Sequence, residues 1–161
     1  MKLRILLILC CLLVSVTTSF GQSTPEKAPD VLGDVRGGFN EVNEWVTKAA
    51  DIVPADKYNY RPVDTVRTFG QLIAHITDSY NYFCAVGVGN KVKWSDAVEK
   101  GATDKDTLLP KFKEAVGRCN AAYSSSNAQL RPLFANVGHT NLHYGNMITY
   151  IRMLGLKPPS S

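Results

Sequence analysis

The chain has 161 residues, the size of one domain, with 18 Lys and Arg against 14 Asp and Glu and a formal charge of +4. Lys2 and Arg4 carry two of those charges, so the chain beyond residue 21 carries +2 (4 − 2). That balance excludes charge-driven binding to nucleic acid or to an anionic membrane surface, and no basic cluster interleaved with aromatics appears.

After Lys2 and Arg4 comes an unbroken apolar run, Ile5 to Val14, fading through Ser15 to Ser19 into Phe20-Gly21-Gln22. A charged start, a short apolar run and small residues at Ser19 and Gly21 predict a signal peptide over 1–21, cut after Gly21. The run is too short to span a bilayer comfortably. The expectation is an exported protein, periplasmic or secreted, with no stable membrane insertion after cleavage. Cys10 and Cys11 would leave with the peptide. Residues 22–29 read as a polar tether with two prolines, and 30–161 as the folded domain.

From Asp30 the apolar positions Leu32, Val35, Phe39, Val42, Val46, Ala49 and Val53 step by three or four, which predicts an amphipathic helix ended by Pro54. Gly33, Gly37 and Gly38 weaken its first half by about 1 kcal/mol each relative to alanine, so it depends on packing. A connector holding Tyr58-Asn-Tyr-Arg-Pro62 follows. Thr68, with Gln71 three residues on, forms a capping box for a second helix whose stripe is Phe69, Leu72, Ile73, Ile76, Tyr80 and Phe83. His75 lies on the flank of that stripe rather than at its centre, which weighs against a deeply buried ligand but not against one beside a cleft.

Gly87 to Gly101 is a long connection, with one helical turn expected around Trp94 to Val98. Its length allows a crossover that leaves the flanking helices parallel. The third helix is predicted to begin near Thr103 or Thr107, the later start placing Pro110 in the tolerated first turn, and to bury Leu109, Phe112, Val116, Cys119 and Tyr123. Parallel packing would bring Cys84 close to Cys119. Two cysteines in an oxidising compartment can pair, and free cysteine is also a common small core residue. Ser124 to Asn127 frays the third helix, Pro132 interrupts a connector, and a fourth helix is expected after Gly138, with Gly155 as a left-handed cap and Pro158-Pro159 as the stop. Nothing reads as a strand of useful length. The prediction is an all-α four-helix bundle with a long crossover between helices 2 and 3.

The chain owns three histidines. His139 and His143 are four apart, so a helix stacks them on one face. With His75 they would form an open metal site, three protein ligands leaving a position for water. A single histidine on a helix is more often a surface or hydrogen-bonded core residue; the absence of histidine elsewhere favours the site. Neutral imidazoles suit zinc or nickel alike. The nearest candidates for a general acid or base are Asp78, one turn from His75, and Tyr150, two turns beyond His143. A solvated helix face and a core tyrosine are their ordinary roles.

Arg67-Thr-Phe-Gly-Gln-Leu-Ile-Ala-His75-Ile, preceded by Tyr58-Asn-Tyr-Arg-Pro62 and followed by His143-Tyr-Gly-Asn-Met-Ile-Thr-Tyr-Ile-Arg-Met-Leu-Gly-Leu-Lys-Pro-Pro159, resembles the DinB-like (YfiT-type) superfamily from about Asp30 onward. The resemblance implies a crossover four-helix bundle holding a divalent metal on His75, His139 and His143. It also implies thiol S-transfer, since members with an assigned activity mostly use small thiols such as bacillithiol or mycothiol. Where the family has Gly-Gln after the last ligand, this chain has Gly145-Asn146, a shorter side chain at a position expected to orient a ligand. Export also departs from the family, whose thiols are cytosolic. Two classes of function stay open. One is a metal-dependent hydrolase or thiol S-transferase acting on a small-molecule substrate or thiol. The other is a non-catalytic bundle that binds a metal or small ligand. A homodimer is compatible with either.

Overall fold

The computed structural model describes residues 28–161, so the expected signal peptide and most of the tether lie outside the described residues. Four helices follow in order: α1 (Val31–Ile52), α2 (Phe69–Gly87), α3 (Lys105–Tyr123) and α4 (Leu130–Met153). No helix among the described residues is long and apolar enough to cross a membrane.

Local signals explain most of the boundaries. Asp30 accepts from the Gly33 amide to start α1, and Val53 turns extended ahead of Pro54. Thr68 and Gln71 form the full capping box at α2, each side chain bonded to the other's backbone amide. At the far end of α4, Gly155 adopts φ +75°, its amide bonds Arg152 and the Leu156 amide bonds Ile151. This is the double carbonyl closure that a left-handed glycine permits.

Two helix starts differ from the sequence expectation. α3 begins at Lys105, capped by Asp104 through the Thr107 amide, so Pro110 falls in the second turn. Pro110 has no N–H for the Asp106 carbonyl, but both residues are exposed and water can serve that oxygen. The buried stripe is consequently Leu108, Phe112, Ala115, Cys119, Ala122 and Tyr123, while Leu109 and Val116 flank it. α4 begins at Leu130, eight residues before Gly138, because Pro132 sits in the first turn, where backbone donors have no helical partner to lose. The expected turn around Trp94 to Val98 is also displaced: the Lys100 amide bonds Asp96 and the Gly101 amide bonds Val98.

Around the bundle the order is α1, α3, α2, α4, with α1 and α2 on opposite corners. Contacts between Arg118 and Asn81 near one end, and between Gly70 and Thr103 near the other, make α2 and α3 parallel. A side chain at Gly70 would collide with the Thr103 carbonyl, so this approach requires glycine. α4 runs antiparallel to α2, with Leu133 against Gly87 and Tyr150 bonded to Arg67. Stacking of Phe39 on Tyr123 (4.2 Å) and the edge of Tyr80 on Phe39 (5.5 Å) fill the centre.

Parallel packing brings Cys84 and Cys119 together as a disulfide, Cα to Cα 5.1 Å across 35 residues of sequence. Closing a loop of that length in the unfolded chain is worth about 3–4 kcal/mol. Cys84→Ser with Cys119→Ser should therefore lower the unfolding free energy by about that amount in chemical denaturation, and dithiothreitol should do the same to the wild type but not to the double variant.

Candidate metal centre

The antiparallel pair α2 and α4 sets His75 opposite His139 and His143. His139 Nε2 lies 3.2 Å from His75 Nε2 and 3.3 Å from His143 Nε2, and one ring nitrogen of each lies within 4.8 Å of the others. Two bonds of roughly 2.0–2.1 Å meeting at a tetrahedral centre hold their donor atoms roughly 3.3 Å apart, so the spacing fits one cation. His75 and His143 are each 8 % exposed, deeper than the flanking position of His75 in its stripe suggested.

Protons alone do not satisfy this cluster. The His75 Nδ1–H donates to Glu99 Oε2 at 2.8 Å, which leaves Nε2 as a lone pair. If His139 Nε2–H donates to it, His139 has no lone pair at that atom for His143. The Nδ1 atoms of His139 and His143 are buried without a partner among the described residues. Burial, reinforced by neighbouring imidazoles and Arg67, holds His139 and His143 down to about 4, so both are neutral at pH 7, the form that ligates metal.

A second layer fixes His75. Arg67 donates through Nε to Glu99 Oε1 (2.6 Å) and through Nη2 to Oε2 (3.3 Å). The Glu99 backbone is in turn gripped by Asp78, whose carboxylate accepts from the amides of Val98 (3.1 Å) and Glu99 (2.9 Å). Trp94, from the same crossover, faces His75 (5.6 Å) and His139 (5.9 Å), its indole N–H donating to Asp96. Phe83 lies 5.8 Å from His139. Asp96 and Glu99 form a further group around His75, but the Arg67 guanidinium occupies Glu99 and opposes a cation there.

The model of the DinB superfamily matches residues 39–150, a span that includes all three histidines and Glu99. The chain belongs to the DinB superfamily. Its fold is similar to the crystal structure of a DinB-like protein from Bacillus cereus ATCC 10987, with a TM-score of 0.64 over 79 % of this chain and 95 % of that one, at 17 % identity. No curated protein matches.

Within this DinB bundle the other residues singled out in the sequence take defined positions. Asp78 is 3 % exposed, and burial pushes its carboxyl above its ordinary value against the opposing pull of the two amides. Tyr150 donates its hydroxyl proton to the Arg67 carbonyl at 2.8 Å. Both side chains therefore brace the layer behind His75. Asn146 is exposed and lines a cavity with Arg67 and Glu99, and among the described residues no hydrogen bond ties it to an imidazole. Glu99 and Trp94 carry the site without a signal in the sequence beyond their place in a long connection.

Below an ordinary histidine value of 6.5, the unfolded chain takes up protons that folded His139 and His143 refuse until about 4. Chelator-treated protein should lose stability as pH falls from about 6.5 to about 4, with no further contribution from these groups below. Thermal melts across that range, repeated for His139→Gln with His143→Gln, should show a shallower dependence in the variant.

Proposed function

We propose that His75, His139 and His143 bind one divalent cation, zinc or nickel, as the reactive centre of an exported DinB-type enzyme, a hydrolase or thiol S-transferase. The convergence of the three imidazoles on a point that no arrangement of their own protons satisfies carries this reading. A cation on three neutral imidazoles keeps a free position and turns bound water or a bound thiol into a nucleophile near neutral pH. The chain supplies the rest. Glu99 fixes the tautomer and plane of His75, Arg67 and Asp78 fix Glu99, and Trp94 and Phe83 keep one side of the cluster dry.

A second reading has an observation of its own. Asp78 and Tyr150, the two acid–base candidates offered by the sequence, both spend their hydrogen bonds on backbone groups. A bundle that holds a metal or small ligand without turnover fits that economy.

Elemental analysis of protein taken from its own compartment should find one divalent ion per chain, and His143→Ala should lose it. Glu99→Gln should weaken affinity about 10–100-fold in competition with a chromophoric chelator. Metal-loaded protein that turns over some member of a panel of thiols and electrophiles, with His143→Ala inert, supports the enzyme. Full occupancy with no turnover across the panel supports the second reading, and absence of any bound metal sinks both metal-based readings.

A further inference from the structure

A cavity of about 640 Å³ opens beside the histidines, the size of a small-molecule pocket. Its inner wall is the pair Arg67 and Glu99, the same pair that holds His75, and Arg67 Nη2 lies 3.3 Å from His75 Nδ1. α2 adds Gln71, and α4 adds Asn146, Thr149 and Tyr150, Asn146 standing one turn beyond His143. Pocket and imidazoles thus share a single partition.

The two charged groups of the inner wall are unequally committed. Glu99 is spent, one oxygen on Arg67 Nε and the other on His75 and Arg67 Nη2. Arg67 has five N–H donors, of which two go to Glu99, so three have no acceptor among the described residues. Gln71 uses its oxygen on the Thr68 amide, which leaves its NH₂ free. The side chains of Asn146 and Thr149 make no hydrogen bond to another described residue, and the Tyr150 proton is used on Arg67. At the outer rim Asp64 is paired with Arg61. The inner wall therefore keeps one free guanidinium edge with the Glu99 carboxylate already taken, Asn146 and Thr149 can donate or accept, and Asp64 lies exposed at the rim. At the inner wall an ammonium group would meet Arg67 with Glu99 already committed, whereas a planar oxyanion matches the guanidinium fork.

We propose that this cavity binds the carboxylate of a small-molecule substrate, with Arg67 as the anchor and Gln71, Asn146 and Thr149 as supporting donors. The bound molecule then lies against the same Arg67 and Glu99 wall that holds His75. This deepens the metal-centre reading, which supplies the purpose of the pocket, but carboxylate binding itself does not require the metal.

The probes are succinate and its neutral diamide, succinamide, titrated by NMR or calorimetry into chelator-treated and zinc-loaded protein. Succinate should bind at millimolar concentration or better, and succinamide at least tenfold more weakly. Asn146→Asp, which sets a negative charge on the exposed wall, and Thr149→Trp, which fills the pocket, should each weaken succinate at least tenfold with melting temperatures unchanged. No succinate binding, equal affinity for the diamide, or affinity unaltered in both variants overturns the assignment. The His143→Ala protein separates the two claims. Succinate binding that persists there supports the pocket even if zinc never binds the wild type, while zinc bound by the wild type without succinate affinity removes the pocket alone.

Discussion

The Asp78 carboxylate on α2, holding the amides of Val98 and Glu99, is the contact on which the site depends. It reaches from the middle of a rigid helix to an irregular connection and fixes where that connection lies. Glu99 can then meet His75, and Trp94 can lie along the imidazoles, although neither belongs to a helix. A buried acceptor filled by two amide donors is costly to break, since both ends would be left without partners in a place water reaches poorly. The connection thus acquires the precision of the helix that grips it.

The bundle supports this arrangement from the opposite side. Parallel packing of α2 and α3, closed by the disulfide at one end and by the tight approach at Gly70 at the other, fixes the span that the crossover must bridge. α4 can then deliver two histidines to the face of α2 without disturbing the aromatic centre. Desolvation keeps His139 and His143 uncharged, so the positive charge beside them, Arg67, is tolerated and is itself balanced by Glu99.

Much of this was legible in the residues because it is local. The capping box at Thr68 and Gln71, the glycine closure at Gly155 and the three-and-four stepping of α1 each act over a few residues. The length of one connection permitted the pairing of Cys84 with Cys119 without requiring it. What was not legible depends on neighbours distant in the chain. Gly138 looked like a helix start, yet it lies exposed inside α4, where it costs the helix about 1 kcal/mol relative to alanine without breaking it. Pro132 and Pro110 looked like interruptions, yet one falls where no amide is needed and the other where solvent replaces it. Glu99 has no periodicity to mark it, and only its capture by Asp78 brings it to His75.

The ring order of the helices bears on how the molecule is made. The first helix borders the third and the last, and its successor in sequence lies across the diagonal. As the polypeptide lengthens, Phe39 can meet Tyr80 across the diagonal, but the two helices that border α1 come only after more than half of synthesis. Contacts between such distant stretches slow folding relative to a simple up-and-down arrangement. That delay leaves the apolar face of α1 only partly covered until α4 is made.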